Sequence, residues 1–204
     1  MRILLATTIT AALLAGLAGP AAAAPRRDDP TYGIDVQKVG GTGCRQKDTV
    51  IVLSNDNMAM TVMYSGYATQ LGKKAKAAHK ECRIKLKLRA PKGSRYSVTG
   101  VYQRGFADIA TGAAGTFTAA YGHPNSKPVY ANTRRFTPQP AAVWQDNTPA
   151  DLDWSPCEEK KVFLIDTDLD LKGKGAEAKD SSLTLDSSDA DVATRFSLRW
   201  EKCR

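Results

Sequence analysis

The chain has 204 residues, with 29 Lys and Arg against 21 Asp and Glu and a formal charge of +8. Hydrophobic residues make up 42%, which excludes a chain disordered throughout. The basic excess is too thinly spread to argue for nucleic acid, and points instead to anionic surfaces or polymers.

The first residues read as an export signal. Met1 and Arg2 form a short basic start, "ILLATTITAALLAGLAG" carries no charge, and "PAAAAP" offers small residues at cleavage spacing after Ala23. The apolar run is shorter than the ~20 residues of a membrane span and ends in alanines, so residues 1–23 are expected to be a cleaved signal peptide. No later segment is apolar enough to span. Roughly 180 residues remain, enough for one domain with a real core. The expected division is a signal peptide over 1–23, a flexible leader over 24–40 and one domain over 41–204.

Residues 25–40, "PRRDDPTYGIDVQKVG", belong to that leader. "TVIVLS" (49–54) is apolar on both sides, which suits a central strand, and "NDN" then makes a turn because Asn and Asp tolerate left-handed backbone. "MAMTVMY" continues with Met58, Met60, Val62 and Tyr64 on one face, completing a hairpin. "GKKAKAAHKE" reads as a basic connector with one or two helical turns. "CRIKLKLR" alternates Cys82, Ile84, Leu86 and Leu88 against Arg83, Lys85, Lys87 and Arg89. "RYSVTGVYQRGFADI" alternates Tyr96, Val98, Gly100 and Tyr102, with a bulge or bend expected at Arg104-Gly105. "GTFTAAYG" is another short strand.

Six of the ten prolines lie between Pro124 and Pro156, together with Trp144 and Trp154. Proline withholds a ladder donor, so this stretch is edge strand, extended segment or long loop, and its tryptophans either pack down or form a binding surface. "VFLIDTDLDL" resumes alternation, with Phe163, Ile165, Thr167, Leu169 and Leu171 opposed to Leu164, Asp166, Asp168 and Asp170. In "VATRFSLRW" the residues Val192, Thr194, Phe196, Leu198 and Trp200 share a face. About eight short strands of period two with little helical period give an all-β fold, an antiparallel β-sandwich with long loops.

Cys44, Cys82, Cys157 and Cys203 are even in number in an exported chain, which gives two disulfides. Zinc would need closely spaced Cys or Cys/His pairs, and none exist. Cys44 precedes the first strand and Cys82 opens the strand after the hairpin, so antiparallel order predicts Cys44–Cys82, with Cys157–Cys203 by elimination.

Little chemistry is encoded. Asp166, Asp168 and Asp170 lack the sixth-position glycine of a calcium loop and read as a solvated strand face. His79 sits among lysines and His123 in a turn, both as ordinary surface histidines. No G-x-S-x-G elbow occurs, and bridged cysteines leave no thiolate nucleophile. Asp151, Asp153, Glu158 and Glu159 lie near tryptophans and keep a carbohydrate-active hydrolase as an alternative, although nothing selects a pair. No catalytic residue, cofactor or metal is therefore assigned. The basic row Arg83, Lys85, Lys87 and Arg89, with Trp144, is the candidate surface-binding set. Its competing explanations are the wet side of a strand and cross-strand pairing with the aspartate row.

"GTGC", "CRIKLKLRAPKG", "YQRGFADIATG", "WSPC" and "FSLRWEKC" together resemble the secreted domain-of-unknown-function family 4360 of bacteria and fungi, from about Gly41 to Cys203. Relatives often carry proline after the first cysteine, where this chain has Arg45. The resemblance implies a secreted, disulfide-bonded, β-rich domain and brings no catalytic residues. The expected function is a secreted non-catalytic protein that binds cell-wall or extracellular polysaccharide or another anionic surface. An inhibitor or effector acting on another protein is the rival within binding.

Overall fold

A computed structural model describes residues 32–72, 75–124, 127–150, 154–157, 161–174, 178, 180–185 and 194–204. The segment read as a signal peptide, residues 1–23, lies outside the described residues. Among them the chain forms twelve strands and one short 3-10 turn. These are β1 (Gly33–Gly40), β2 (Thr49–Leu53), β3 (Ala59–Tyr64), β4 (Ala68–Gln70), β5 (Ala77–Arg89), β6 (Ser94–Ile109), β7 (Ala113–Gly122), β8 (Tyr130–Phe136), β9 (Gln139–Pro149), β10 (Lys161–Gly173), β11 (Ser182–Thr184) and β12 (Thr194–Lys202).

Two antiparallel sheets face one another. The first runs β1-β5-β10-β7-β8, and the second β2-β3-β12-β6-β11-β4 with β9 paired to β6. The first sheet is built on β5 and β10, whose strict alternation sends Leu86 opposite Phe163 and Ile84 opposite Ile165. All four are at most 1% exposed. The second sheet answers with Met60 and Val62 from β3, Val98 and Val101 from β6, and Phe196 and Leu198 from β12, all in the same core cluster. Each such side chain contributes roughly 1.5–3 kcal/mol by leaving water.

The β2–β3 hairpin forms as expected, and the left-handed residue of its turn is Asn57 at φ 60°. β2 itself is an edge strand rather than a central one, because its second apolar set, Val50 and Val52, has no layer to cover it and stays exposed. Residues 33–40, expected in the leader, are likewise strand. Residues 33–40 pair along β5, setting Ile34 opposite Leu88, Val36 opposite Leu86 and Val39 opposite Ile84. A register shift between Val36 and Lys38 breaks the period of two, so "GIDVQKVG" hides its alternation. Tyr32 anchors the start of this segment edge-on against Trp200, 5.0 Å between ring centroids.

Two further expectations change, and the edge-strand reading of the proline-rich stretch holds. Ala77–Glu81 is strand, not helix, because β10 is long enough to pair with it as far as Lys172. In β6 the phase changes before Arg104: the register against β12 shifts beside Gly100, so Tyr102 turns outward while Val101 and Gln103 are buried. Gly105 instead meets a packing need, since a Cβ there would lie 2.1 Å from the Thr184 carbonyl oxygen and 2.6 Å from the Trp144 ring. The proline-rich stretch supplies β8 and β9, both on sheet margins, where proline's missing donor costs least.

Cys44 is bonded to Cys82, and Cys157 to Cys203. In the chain-entropy model each closure contributes about 4 kcal/mol. The first bridge sits behind Gly43, whose amide donates to the Glu81 carbonyl and which has no room for a Cβ beside the Tyr67 ring. The second is positioned by "WSPC": the Ser155 amide donates to the Tyr96 carbonyl at 2.8 Å, and the Tyr96 amide to Ser155 Oγ at 3.0 Å. Trp154 stacks under the guanidinium groups of Arg95 and Arg199.

One polar group crosses the core. Gln103 on β6 is fully buried; its Nε2 donates to Tyr121 Oη at 2.6 Å, and Tyr130 Oη donates to its Oε1 at 2.7 Å. The amide thus ties β6 of one sheet to β7 and β8 of the other. Burial pushes the Tyr121 hydroxyl well above its ordinary pKa, so it remains a neutral partner.

Phe196→Ala is expected to cost about 3–5 kcal/mol in urea denaturation, and a loss under about 1 kcal/mol would place Phe196 outside the core. Trp200→Ala should cost less, because Trp200 is only partly buried. Gln103→Leu leaves two tyrosine hydroxyls without their amide partner and should cost about 1–3 kcal/mol by the same measurement; an unchanged midpoint would show that the tyrosines find other partners.

Candidate functional site

The outward side chains of β5, which carries the candidate basic row, lie between β1 and β10 on the outer face of the first sheet. From one end they are Ala77, His79, Glu81, Arg83, Lys85, Lys87 and Arg89. β10 brings Asp170 opposite His79, Asp168 opposite Glu81, Asp166 opposite Arg83, Leu164 opposite Lys85 and Val162 opposite Lys87. On the other side β1 brings Gly40 to Arg83, Lys38 to Lys85, Asp35 to Lys87 and Gly33 to Arg89.

This register divides the basic row. Arg83 belongs to the aspartates: its Nη2 donates to Asp168 Oδ1 at 2.8 Å, its Nη1 to the Thr167 carbonyl at 2.8 Å, and it lies 3.3 Å from Glu81 Oε2 and 3.7 Å from Asp166 Oδ1. Arg89 reaches Asp35, with Nε 3.2 Å from Oδ1. Lys85 and Lys87 pair with neither aspartate, because the acidic run of β10 stops at Asp166 and gives way to Leu164 and Val162. Among the described residues Lys38, Lys85 and Lys87 make no ion pair. Lys38 and Lys85 stand directly opposite each other, and like charges in that position destabilise a sheet.

The carboxylates at the other end of the face are crowded. Burial, with Asp168 and Glu81 nearby, holds the Asp166 carboxyl above its ordinary pKa despite the opposing pull of Arg83. His79 is not among lysines. Its backbone direction alternates it away from Lys80 and toward β10, where Nδ1 is 2.9 Å from Asp170 Oδ1. His123 is a buried histidine rather than a surface one, with Nδ1 donating to the Val162 carbonyl at 3.0 Å and its ring against Tyr96 and Phe163.

Trp144 leaves the binding set altogether. It is 3% exposed, packed on Phe117 and Phe136 at 5.1 and 5.6 Å between ring centroids. The Arg134 guanidinium covers its outer side. Burying this large apolar ring draws β9 onto the sandwich, so the aromatic of the proline-rich stretch is packing. The carboxylates considered for hydrolysis, Asp151, Asp153, Glu158 and Glu159, lie outside the described residues.

A second basic feature was not read from the sequence. One row beyond His79 and Asp170, the same face ends in a cleft of ≈ 450 Å³ lined by Lys76, Lys172 and Lys174 with Ala77, Ala114 and Gly173. The nearest of these lysines in sequence from the two segments, Lys76 and Lys172, are 96 residues apart, and only the β5–β10 register, which sets Lys172 opposite Ala77, brings them together.

The raised Asp166 carboxyl has a consequence for stability. Between the ordinary and the raised pKa the native state keeps a proton that the unfolded chain has lost, so stability falls as pH rises through that window and the cost persists at neutral pH. Asp166→Asn should therefore melt higher than the parent at pH 7 and lose that advantage at pH 3. Thermal melts at both pH values check this, and identical melting temperatures at pH 7 would contradict it.

Among the described residues no helix is long and apolar enough to cross a membrane. The chain is 28% identical over 179 residues to an uncharacterized secreted protein of Arthroderma benhamiae, covering 80% of this chain and 69% of that one. The disulfides and the secreted relative together mark an extracellular protein. The model of the family described as "Domain of unknown function (DUF4360)" matches residues 30–203, from just before β1 to the last cysteine, and the chain belongs to that family.

Proposed function

We propose that this protein is a non-catalytic extracellular binder of an anionic polymer, such as a cell-wall polymer or an acidic polysaccharide, held along the outer face of the first sheet. The observation that carries this reading is the unneutralised pair Lys38 and Lys85, with Lys87 beside it on the same face. Two ammonium groups opposed across a ladder repel, and an anion lying between them converts that cost into attraction. The lysine cleft at the far end of the face adds a second contact for a ligand long enough to reach it. An extended polymer suits such separated charges better than a compact ligand, which would need a single concave pocket.

Cosedimentation of the mature protein with an insoluble acidic polysaccharide tests the reading. Binding should weaken as salt rises, because exposed charges are screened within about 10 Å at about 0.1 M. Lys38→Glu combined with Lys85→Glu should lower binding at low salt by more than about tenfold, which corresponds to roughly 1.4 kcal/mol. Circular dichroism should remain unchanged, since both side chains are exposed. Undiminished binding in this double variant would end the proposal.

A further inference from the structure

The register that divides the basic row also assembles a donor set that neither strand contains alone. His79 and Glu81 are two residues apart on β5 and point to the same side, and Asp168 on β10 is the cross-strand partner of Glu81. One ligand atom from each of His79, Glu81 and Asp168 can be chosen so that all lie within 4.8 Å of one another. Asp170 stands behind the imidazole. With its Oδ1 2.9 Å from His79 Nδ1, it accepts the Nδ1 proton and leaves the Nε2 lone pair facing Asp168 Oδ1, 3.7 Å away. A carboxylate behind a histidine is the usual means of fixing the tautomer and orientation of a metal-binding ring.

We infer that His79, Glu81 and Asp168 form a binding site for a divalent ion of the zinc class, with Asp170 orienting the histidine. Zinc takes imidazole nitrogen and carboxylate oxygen at roughly 2.0–2.2 Å. Two donors around one such ion are separated by a little over 3 Å, so the 3.7 Å between Nε2 and Asp168 Oδ1 closes with a small side-chain rotation. The imidazole sets the ion class, because calcium and magnesium are bound through oxygen. Charge supports the assignment: Glu81, Asp166 and Asp168 surround a single guanidinium, that of Arg83, and Asp170 adds a fourth carboxylate beside the imidazole. Arg83 is therefore the ion's internal competitor, holding Asp168 Oδ1 and reaching Glu81 in the absence of metal. The site rests on no part of the polymer-binding reading, since it uses none of Lys38, Lys85 and Lys87.

Isothermal titration of the untagged mature protein with Zn2+ alone tests it, with Ca2+ as the comparison ion. The expected result is one zinc ion per chain. His79→Ala and Asp168→Asn should each weaken zinc binding at least about tenfold, with circular dichroism unchanged, and Arg83→Gln should tighten it. Zinc should also shift the His79 imidazole resonances in the unmodified protein, a readout independent of any variant. No zinc uptake, or uptake that His79→Ala leaves intact, would overturn the site. Equal affinity for calcium, insensitive to His79→Ala, would show an undirected acidic surface and would overturn it as well.

Discussion

The twelve-residue pairing of β5 with β10 is the constraint on which the rest of the molecule depends. On the inner side it sets Leu86 against Phe163 and Ile84 against Ile165, the centre of one core layer. On the outer side the same ladder sets Glu81 against Asp168, Arg83 against Asp166 and His79 against Asp170. A slip by one residue would exchange these two sets and place the charges in the core. The hydrophobic effect therefore holds the polar face in register at no additional cost, and the chemistry of that face is a consequence of core packing.

Around this pair the sandwich is closed by few devices, each of a different kind. Trp144 plugs one margin by packing on Phe117, Phe136 and the bare backbone of Gly105. Gln103 connects the two sheets through two tyrosine hydroxyls, a buried polar link that is tolerable because both ends of the amide are matched. The disulfides act at the chain's entry and exit, joining the segment before β2 to β5 and the segment before β10 to the C-terminal end of β12. Trp200 adds a fastening of its own, donating from Nε1 to the Asn57 carbonyl in the hairpin turn at 2.7 Å while its ring holds Tyr32.

The outer face of the first sheet alternates in sign along the strands. Lysines stand at both ends and carboxylates in the middle, with Arg83 at the join. Such a face would repel a uniformly anionic chain at its centre and attract it at its ends. A cation held by the central carboxylates would remove that repulsion, so the two proposals for this face reinforce one another physically although each stands on separate residues.

The β-sandwich class, the two disulfides, the buried sides of β5, β10 and β12, and the β2–β3 hairpin are legible in the sequence. These are local or countable properties: period two, turn residues and an even number of cysteines. Single extra residues defeated it at β1 and β6, because one bulge reverses which side chains face inward and makes a regular strand look irregular. Trp144 was misjudged because proline and exposure are correlated, while burial is decided by what packs on the ring. Which row faces which follows from the folded sheet alone. Arg83 stands in one row with Lys85 and Lys87 in the sequence, which leaves pairing with the aspartates open, and the ladder joins it to aspartates 83 to 85 positions away. Cross-strand pairing of distant segments is set by the summed packing of both faces, and no short window of sequence contains that sum.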